Sequence, residues 1–411
     1  MLRLKPMTKT IRVYFYLIFL LISRLVFGQE VVTIKAQLLD GKTSKPIPFA
    51  SIYLKNTARG TTSNAEGYFV FYVPVKNKAG KVVISAMGYR TIEKKPSSFS
   101  NDERIRLTHQ VYELNEVQLS ASKDKVLTAK DIVKRAYKNI EANYPTEPYI
   151  LEGFVRDLQK EDDEYVAYLE CAAKFKYQGS QVKRKPQIEL LGVRSNSITE
   201  KHPWNKNQER KNSLVDLVED DFIRFDYGPI LGKKGWNYEI ESVLTYDNRL
   251  VYKIKGVDKP FQTATLYIDS ESFAFVRMEL TRQAIKNRSW RRRFTNGALQ
   301  VYYNVVFEYQ EYQGKMYLKY QREEDHWRIF KGLESRKIVF TKYPKKELFV
   351  NNIVTENVSN YPFQGNLDIG ASIENQAENF DADFWATYNV PQRTIEQSQI
   401  VNELENASKK L

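Results

Sequence analysis

Between Tyr149 and Pro344 the chain repeats one local pattern: a stretch in which apolar and polar residues alternate, a short cluster of turn formers, then another such stretch. Alternation at period two places every second side chain on one side of an extended backbone, and breaks this short join only antiparallel neighbours. Tyr149 to Leu158 and Tyr165 to Tyr177 flank Glu161-Asp162-Asp163-Glu164, a tip where charge is expected to stay wet. Thr265 to Asp269 and Phe273 to Leu280 flank Ser270-Glu271-Ser272, and Gln300 to Tyr312 faces Lys315 to Glu323 across Gln313-Gly314. With Val251 to Gly256 the series predicts an antiparallel, strongly curved sheet over residues 149–345, half-barrel-like, in a mainly β protein. Ahead of it, in a linker-and-helix stretch 123–148, Thr128 can cap a helix over 128–142 that buries Ile132, Val133, Ala136, Tyr137 and Ile140 and ends before Asn143-Tyr144-Pro145. One helix cannot cover a wide concave face. The expectation is a pocket lined by Ile132, Ala136 and Tyr137 with Leu266, Ile268, Phe275 and Met278, fit for a lipid or glycan ligand.

Upstream the strands are shorter. Val31 to Leu119 places alternating runs such as Thr33 to Leu38, Phe49 to Leu54 and Tyr68 to Val73 between turn clusters at Asp40 to Pro46, Gly60, Gly67 and Gly88. That spacing predicts a small β-sandwich of about seven strands over 29–122, able to fold alone. Residues 1–28 carry Arg3, Lys5, Lys9 and Arg12, then the apolar run Val13 to Ile22, then Val26-Phe27-Gly28, the order of a secretory signal cut before Gln29. No cysteine stands at the expected cut, which speaks against a lipoprotein anchor, and the expected location is the periplasm or the outer membrane. Without those 28 residues, which hold five basic residues and no acid, the formal charge falls from +13 to +8, an ordinary surface balance rather than a nucleic-acid face. Residues 346–411 read as a partly irregular tail.

The first unit carries a resemblance. Leu39-Asp40, Thr43, Pro46-Ile47-Pro48, Ala50-Ser51-Ile52, then Gly60-Thr61-Thr62-Ser63-Asn64 with Glu66-Gly67-Tyr68-Phe69, then Ile84-Ser85 and Gly88-Tyr89 resemble the carboxypeptidase-like regulatory domain, a transthyretin-like sandwich without catalytic residues. Ser63-Asn64 departs from the more usual Thr-Asp. Leu114 to Leu119 resembles the strand that closes such a domain. The tract Leu266-Tyr267-Ile268-Asp269 with Ala274 to Glu279 is similar to the half-barrel of LolA-like lipoprotein carriers. Asn143-Tyr144-Pro145, Gly153-Phe154-x-Arg156 and Tyr168-x-Glu170 resemble exported Bacteroidota proteins that join the two units, and Asn379 to Asn389 resembles the end of members lacking an outer-membrane barrel. With 67 residues after Pro344, no such barrel is expected here. The resemblance implies a non-enzymatic envelope binding or adaptor protein, with an outer-membrane receptor or another envelope protein as partner.

Sequence patterns for chemistry are sparse. His109, His202 and His326 lack a glutamate three residues on, so the zinc pair of a carboxypeptidase is missing, and no cofactor is implied. Cys171 lies in a strand interior without a nucleophile elbow, and Ser195 and Ser197 lack the Gly-x-Ser-x-Gly turn. Lys286, Arg288, Arg291, Arg292 and Arg293 around Trp290 form a basic loop, either solvated or in contact with anionic groups of an envelope glycan or glycolipid. Glu219-Asp220-Asp221 does not have the alternating oxygens of a calcium loop and reads as helix-end charge. A glycan-active enzyme with an unrecognised carboxylate pair and a purely structural adaptor are the alternatives.

Overall fold

The computed structural model describes residues 31–112, 127–179, 185–198, 214, 217–218, 221–224, 235–258, 262–283, 297–331, 337–365, 367–368, 373–376 and 382–408. The expected signal, the strand 114–119, the basic run 286–293, Glu219, Asp220 and His202 lie outside the described residues.

Seven strands make the sandwich: β1 (Val31–Asp40), β2 (Ser51–Leu54), β3 (Gly60–Thr62), β4 (Tyr68–Pro74), β5 (Val82–Ser85), β6 (Ile92–Lys94) and β7 (Glu103–Leu107). They pair as β4-β1-β7 and β3-β2-β5-β6. Alternation decides which side faces in: Ile34, Ala36 and Leu38 of β1 meet Phe69, Phe71 and Val73 of β4 in one core, while Tyr68 stays exposed. The turn before β4 is set by Asn64, whose Oδ1 accepts from the backbone N–H of Glu66 and Tyr68, and by Gly67 at φ 77°.

The chain then leaves the sandwich. β8 (Val111–Tyr112) pairs with the edge of the larger sheet, so the last described strand of the first unit belongs to the second. That sheet runs β11-β10-β9-β18-β17-β16-β15-β14-β13-β12-β8, built from β9 (Tyr149–Glu161), β10 (Glu164–Tyr177), β11 (Gln187–Ser197), β12 (Asn237–Tyr246), β13 (Arg249–Val257), β14 (Gln262–Asp269), β15 (Phe275–Gln283), β16 (Ala298–Tyr312), β17 (Lys315–Phe330) and β18 (Ile338–Val354). From β12 to β18 it is a meander of hairpins, and β18 closes back beside β9. β18 carries the sheet past residue 345, the boundary expected from sequence. Pro344 lies inside this central strand rather than at its end.

The helix on one face of the sheet is α1 (Ala129–Lys138), followed by the short α2 (Ile140–Asn143). Thr128 caps α1 reciprocally with Asp131, as its hydroxyl accepts from the Asp131 N–H. The single helix expected over 128–142 is interrupted at Asn139. Its side chain and that of Asn143 both donate to the Ser272 carbonyl in the β14–β15 turn, at 3.2 and 3.0 Å, so the break ties the helix to the sheet. The tail contributes α3 (Ala382–Thr387) and α4 (Ile395–Ser408) on the opposite face. Among the described residues no helix is long and apolar enough to cross a membrane.

Candidate functional site

The two faces of the larger sheet differ. On the face under α1, the residues expected to line a pocket form packed core: Ile132, Ala136, Leu266, Ile268 and Phe275 are 0 % exposed and Met278 2 %, all in one cluster. Leu214, Leu217, Val218, Phe222 and Ile223 enter the same cluster, and Phe222 stands edge-on to Phe275 at 5.9 Å. Tyr137 is turned outward instead, at 43 % exposure. The helical spacing that grouped Tyr137 with Ala136 places it beyond the buried arc. Cys171 is a buried free thiol in this core. Asp221 is buried here too, where its Oδ1 accepts from the Tyr309 hydroxyl at 2.8 Å and burial pushes its carboxyl up against the pull of Arg224.

On the outer face Gly153, Phe154, Arg156, Tyr168 and Glu170, residues of the quoted motifs, assemble a seat for the tail. Arg156 donates to Glu170 Oε1 through Nε and Nη2 at 2.9 and 2.8 Å, and Arg194 and Arg393 reach Oε2 at 2.5 and 2.8 Å. Burial pushes the Glu170 carboxyl up, but the three guanidiniums, Arg156 foremost, bring it down to about 2. Trp385 packs edge-on against Phe154, and the Tyr388 hydroxyl donates to the Gly153 carbonyl at 3.0 Å. A Cβ at Gly153 would lie 2.8 Å from the Phe349 carbonyl oxygen, which explains the glycine. Sequence proximity could not reveal this cluster, since Arg393 lies 223 residues from Glu170.

Farther along the same face a groove of about 230 Å³ opens between β9, β10, β17 and β18, lined by Leu158, Lys160, Tyr165, Glu324, Asp325, His326, Tyr343, Pro344 and Lys345. Pro344 accounts for its position. The β17–β18 ladder pairs Trp327 with Lys342 and Glu324 with Lys345 but nothing between, and a proline has no N–H to bridge that gap. Into the opening the strands send a row of rings. Tyr302 and His326 are opposite one another with centroids 4.8 Å apart, and His326 meets Tyr343 edge-on at 4.8 Å. The Lys160 ammonium sits 5.9 Å from the ring centres of both Tyr343 and Tyr165. Tyr165 donates to Glu396 of α4 at 3.1 Å, and burial with that carboxylate pushes its hydroxyl up to about 12. Glu324 is held by Lys345 at 3.3 Å. Burial lowers the His326 imidazole, opposed by Glu324, so it is neutral at pH 7 with one donor and one acceptor nitrogen.

None of these residues was named as a site from sequence. The available signal is Pro344 inside an alternating run, a residue that from sequence alone marks the end of the sheet. At the acidic tip Asp162, Asp163 and Glu164 are exposed as expected, but Glu161 is buried, 3.8 Å from Lys342, and Asp162 accepts from the Thr341 N–H, because β18 runs alongside it. Among the described residues, His, Cys, Asp and Glu nowhere gather in threes around a possible metal position.

No curated protein matches the chain significantly. Solved structures with similar chains include a LolA superfamily protein from Nitrosomonas europaea, 11% identical, covering 58% of this chain and 98% of that one at a TM-score of 0.22. A putative outer membrane lipoprotein-sorting protein domain from Vibrio parahaemolyticus is 8% identical over 55% of this chain and 92% of its own, TM-score 0.24. The MucA/MucB complex of Pseudomonas aeruginosa gives 8%, 54% and 93%, TM-score 0.19. The architecture of the larger sheet rests on its own strand pairing. Residues 34–119 match the family model of the CarboxypepD_reg-like domain, and the seven-strand sandwich is therefore a CarboxypepD_reg-like domain.

Proposed function

We propose that this chain is an exported, non-enzymatic binding module of the cell envelope, divided into a docking sandwich and a larger sheet that meets its ligand on the outer face. The observation that carries this reading is the contrast between a filled core under α1 and an open groove of about 230 Å³ with half-buried rings and charges on the other side. The CarboxypepD_reg-like domain agrees with an envelope setting. An envelope protein, such as an outer-membrane receptor, is the natural partner for the sandwich.

The test is a thermal-shift assay of the mature protein against lipid, protein and glycan fractions of the envelope. One fraction should raise the unfolding midpoint, and Tyr343→Ala should abolish that rise while leaving the unliganded fold intact. If no fraction shifts the midpoint, or the variant responds like the parent, the groove is not a binding site.

A further inference from the structure

We infer that the groove is a subsite for a neutral, β-linked glycan whose rings lie across the strands on the row Tyr302, His326, Tyr343, Lys160 and Tyr165. The inference rests on the binding-module reading and names the ligand class for that same site.

The row takes one side chain from each of five adjacent strands, β16, β17, β18, β9 and β10. Neighbouring strands are about 4.8 Å apart, so the row is a ruler with one ring or ammonium per strand. An extended chain of pyranose rings is a flat polymer of similar repeat, with apolar C–H faces and hydroxyls around the edge. Such a ligand wants aromatic surface under its faces and both donors and acceptors at its rim. The groove supplies both. His326 and Tyr343 in the groove, with Tyr302 beside His326 at its edge, give ring surface, while Lys160 and Lys345 donate, Glu324 accepts and the neutral His326 can do either.

The same inventory disfavours other ligands. An acyl chain would strip water from Lys160 and from the Lys345–Glu324 pair without offering either a hydrogen bond in return. A polyanion would meet the Glu324 carboxylate in the groove beside the row, next to an imidazole whose positive form burial disfavours. The volume, about 230 Å³, suits one sugar ring at the Pro344 gap, with the next rings of the chain lying over the flanking tyrosines. Each half-buried ring already stands against a neighbour, so little side-chain freedom remains to be lost on binding.

Isothermal titration of the mature protein with chitotetraose, cellotetraose, maltotetraose and a heparin-derived tetrasaccharide tests this. Chitotetraose or cellotetraose should bind, with Tyr343→Ala and His326→Ala each weakening the complex about tenfold and Tyr343→Phe by less than about threefold. His326→Gln, which keeps a donor and an acceptor but removes the ring, covers the case in which Tyr343→Ala does not fold. Its affinity should also fall about tenfold. Absence of binding by both β-linked sugars, tighter binding of the heparin fragment, or full affinity in folded Tyr343→Ala and His326→Gln overturns the assignment. A Tyr343-dependent thermal shift by the lipid or protein fraction, without tetrasaccharide binding, overturns the glycan while the binding-module reading stands. Loss of both removes both.

Discussion

Glu170 is fully buried yet ionised, because three guanidiniums replace the water it has lost. Removing its charge leaves three guanidiniums around a neutral amide whose NH2 group cannot accept from them, so Glu170→Gln should cost about 3–5 kcal/mol in denaturant unfolding. The pH dependence follows from the direction of the shift. The folded carboxyl, at about 2, lies below its ordinary value of 4.5, so its stabilisation is complete above about pH 4.5 and disappears as pH falls from there toward 2. Unfolding midpoints measured across that window should decline more steeply for the parent than for Glu170→Gln. The residues Arg156 and Glu170 were visible as a motif, but their use was not. What they hold, Arg393 and Trp385, is brought to them only by the tail crossing the sheet.

At the scale of elements, hairpins were legible because turn chemistry is local. Gln313-Gly314 adopts φ of 50° and 74°, both positive as a tight hairpin requires, and the strands on either side follow by alternation. The cap at Thr128 was equally readable. Whether the face above the sheet is empty or full is not a local property. Five of the seven residues expected to line a cavity are wholly enclosed, since Leu214, Leu217, Val218, Phe222 and Ile223, far from α1 and from β14 and β15 in sequence, fill the space. Ala136→Trp should therefore destabilise the fold by about 3 kcal/mol or more through overpacking, and Ile132→Ala by about 2–5 kcal/mol through a cavity, both readable from chemical denaturation. If Ala136→Trp were tolerated without loss of stability, free space would exist under α1 after all. The groove was missed for a different reason: Pro344 is a gap in a central strand, and sequence alone does not distinguish a gap from an end.

In the whole molecule the sandwich is fastened to the sheet at several points. β8 adds to the edge at β12, the Tyr53 hydroxyl donates to Asp247 at 2.6 Å, Gly88 N–H donates to the Thr245 carbonyl at 2.8 Å, and Phe49 stacks on Tyr320 at 5.4 Å. Calorimetry should accordingly give one transition for residues 29–411, and Asp247→Ala should broaden or split it by loosening the sandwich from the sheet. Two well-separated transitions in the parent would show that these contacts do not couple the units. This fixed arrangement leaves the outer-face groove and the α1 face as opposite surfaces of one body, and the proposed binding site lies on the first. Photo-crosslinking decides between them most directly, with a benzoylphenylalanine placed at Tyr343 in one mature protein and at the exposed Tyr137 in another, each incubated with isolated envelope. The prediction is adduct formation from position 343, competed by the glycan fraction, and none from position 137. Adducts from position 137 with none from 343 would contradict it.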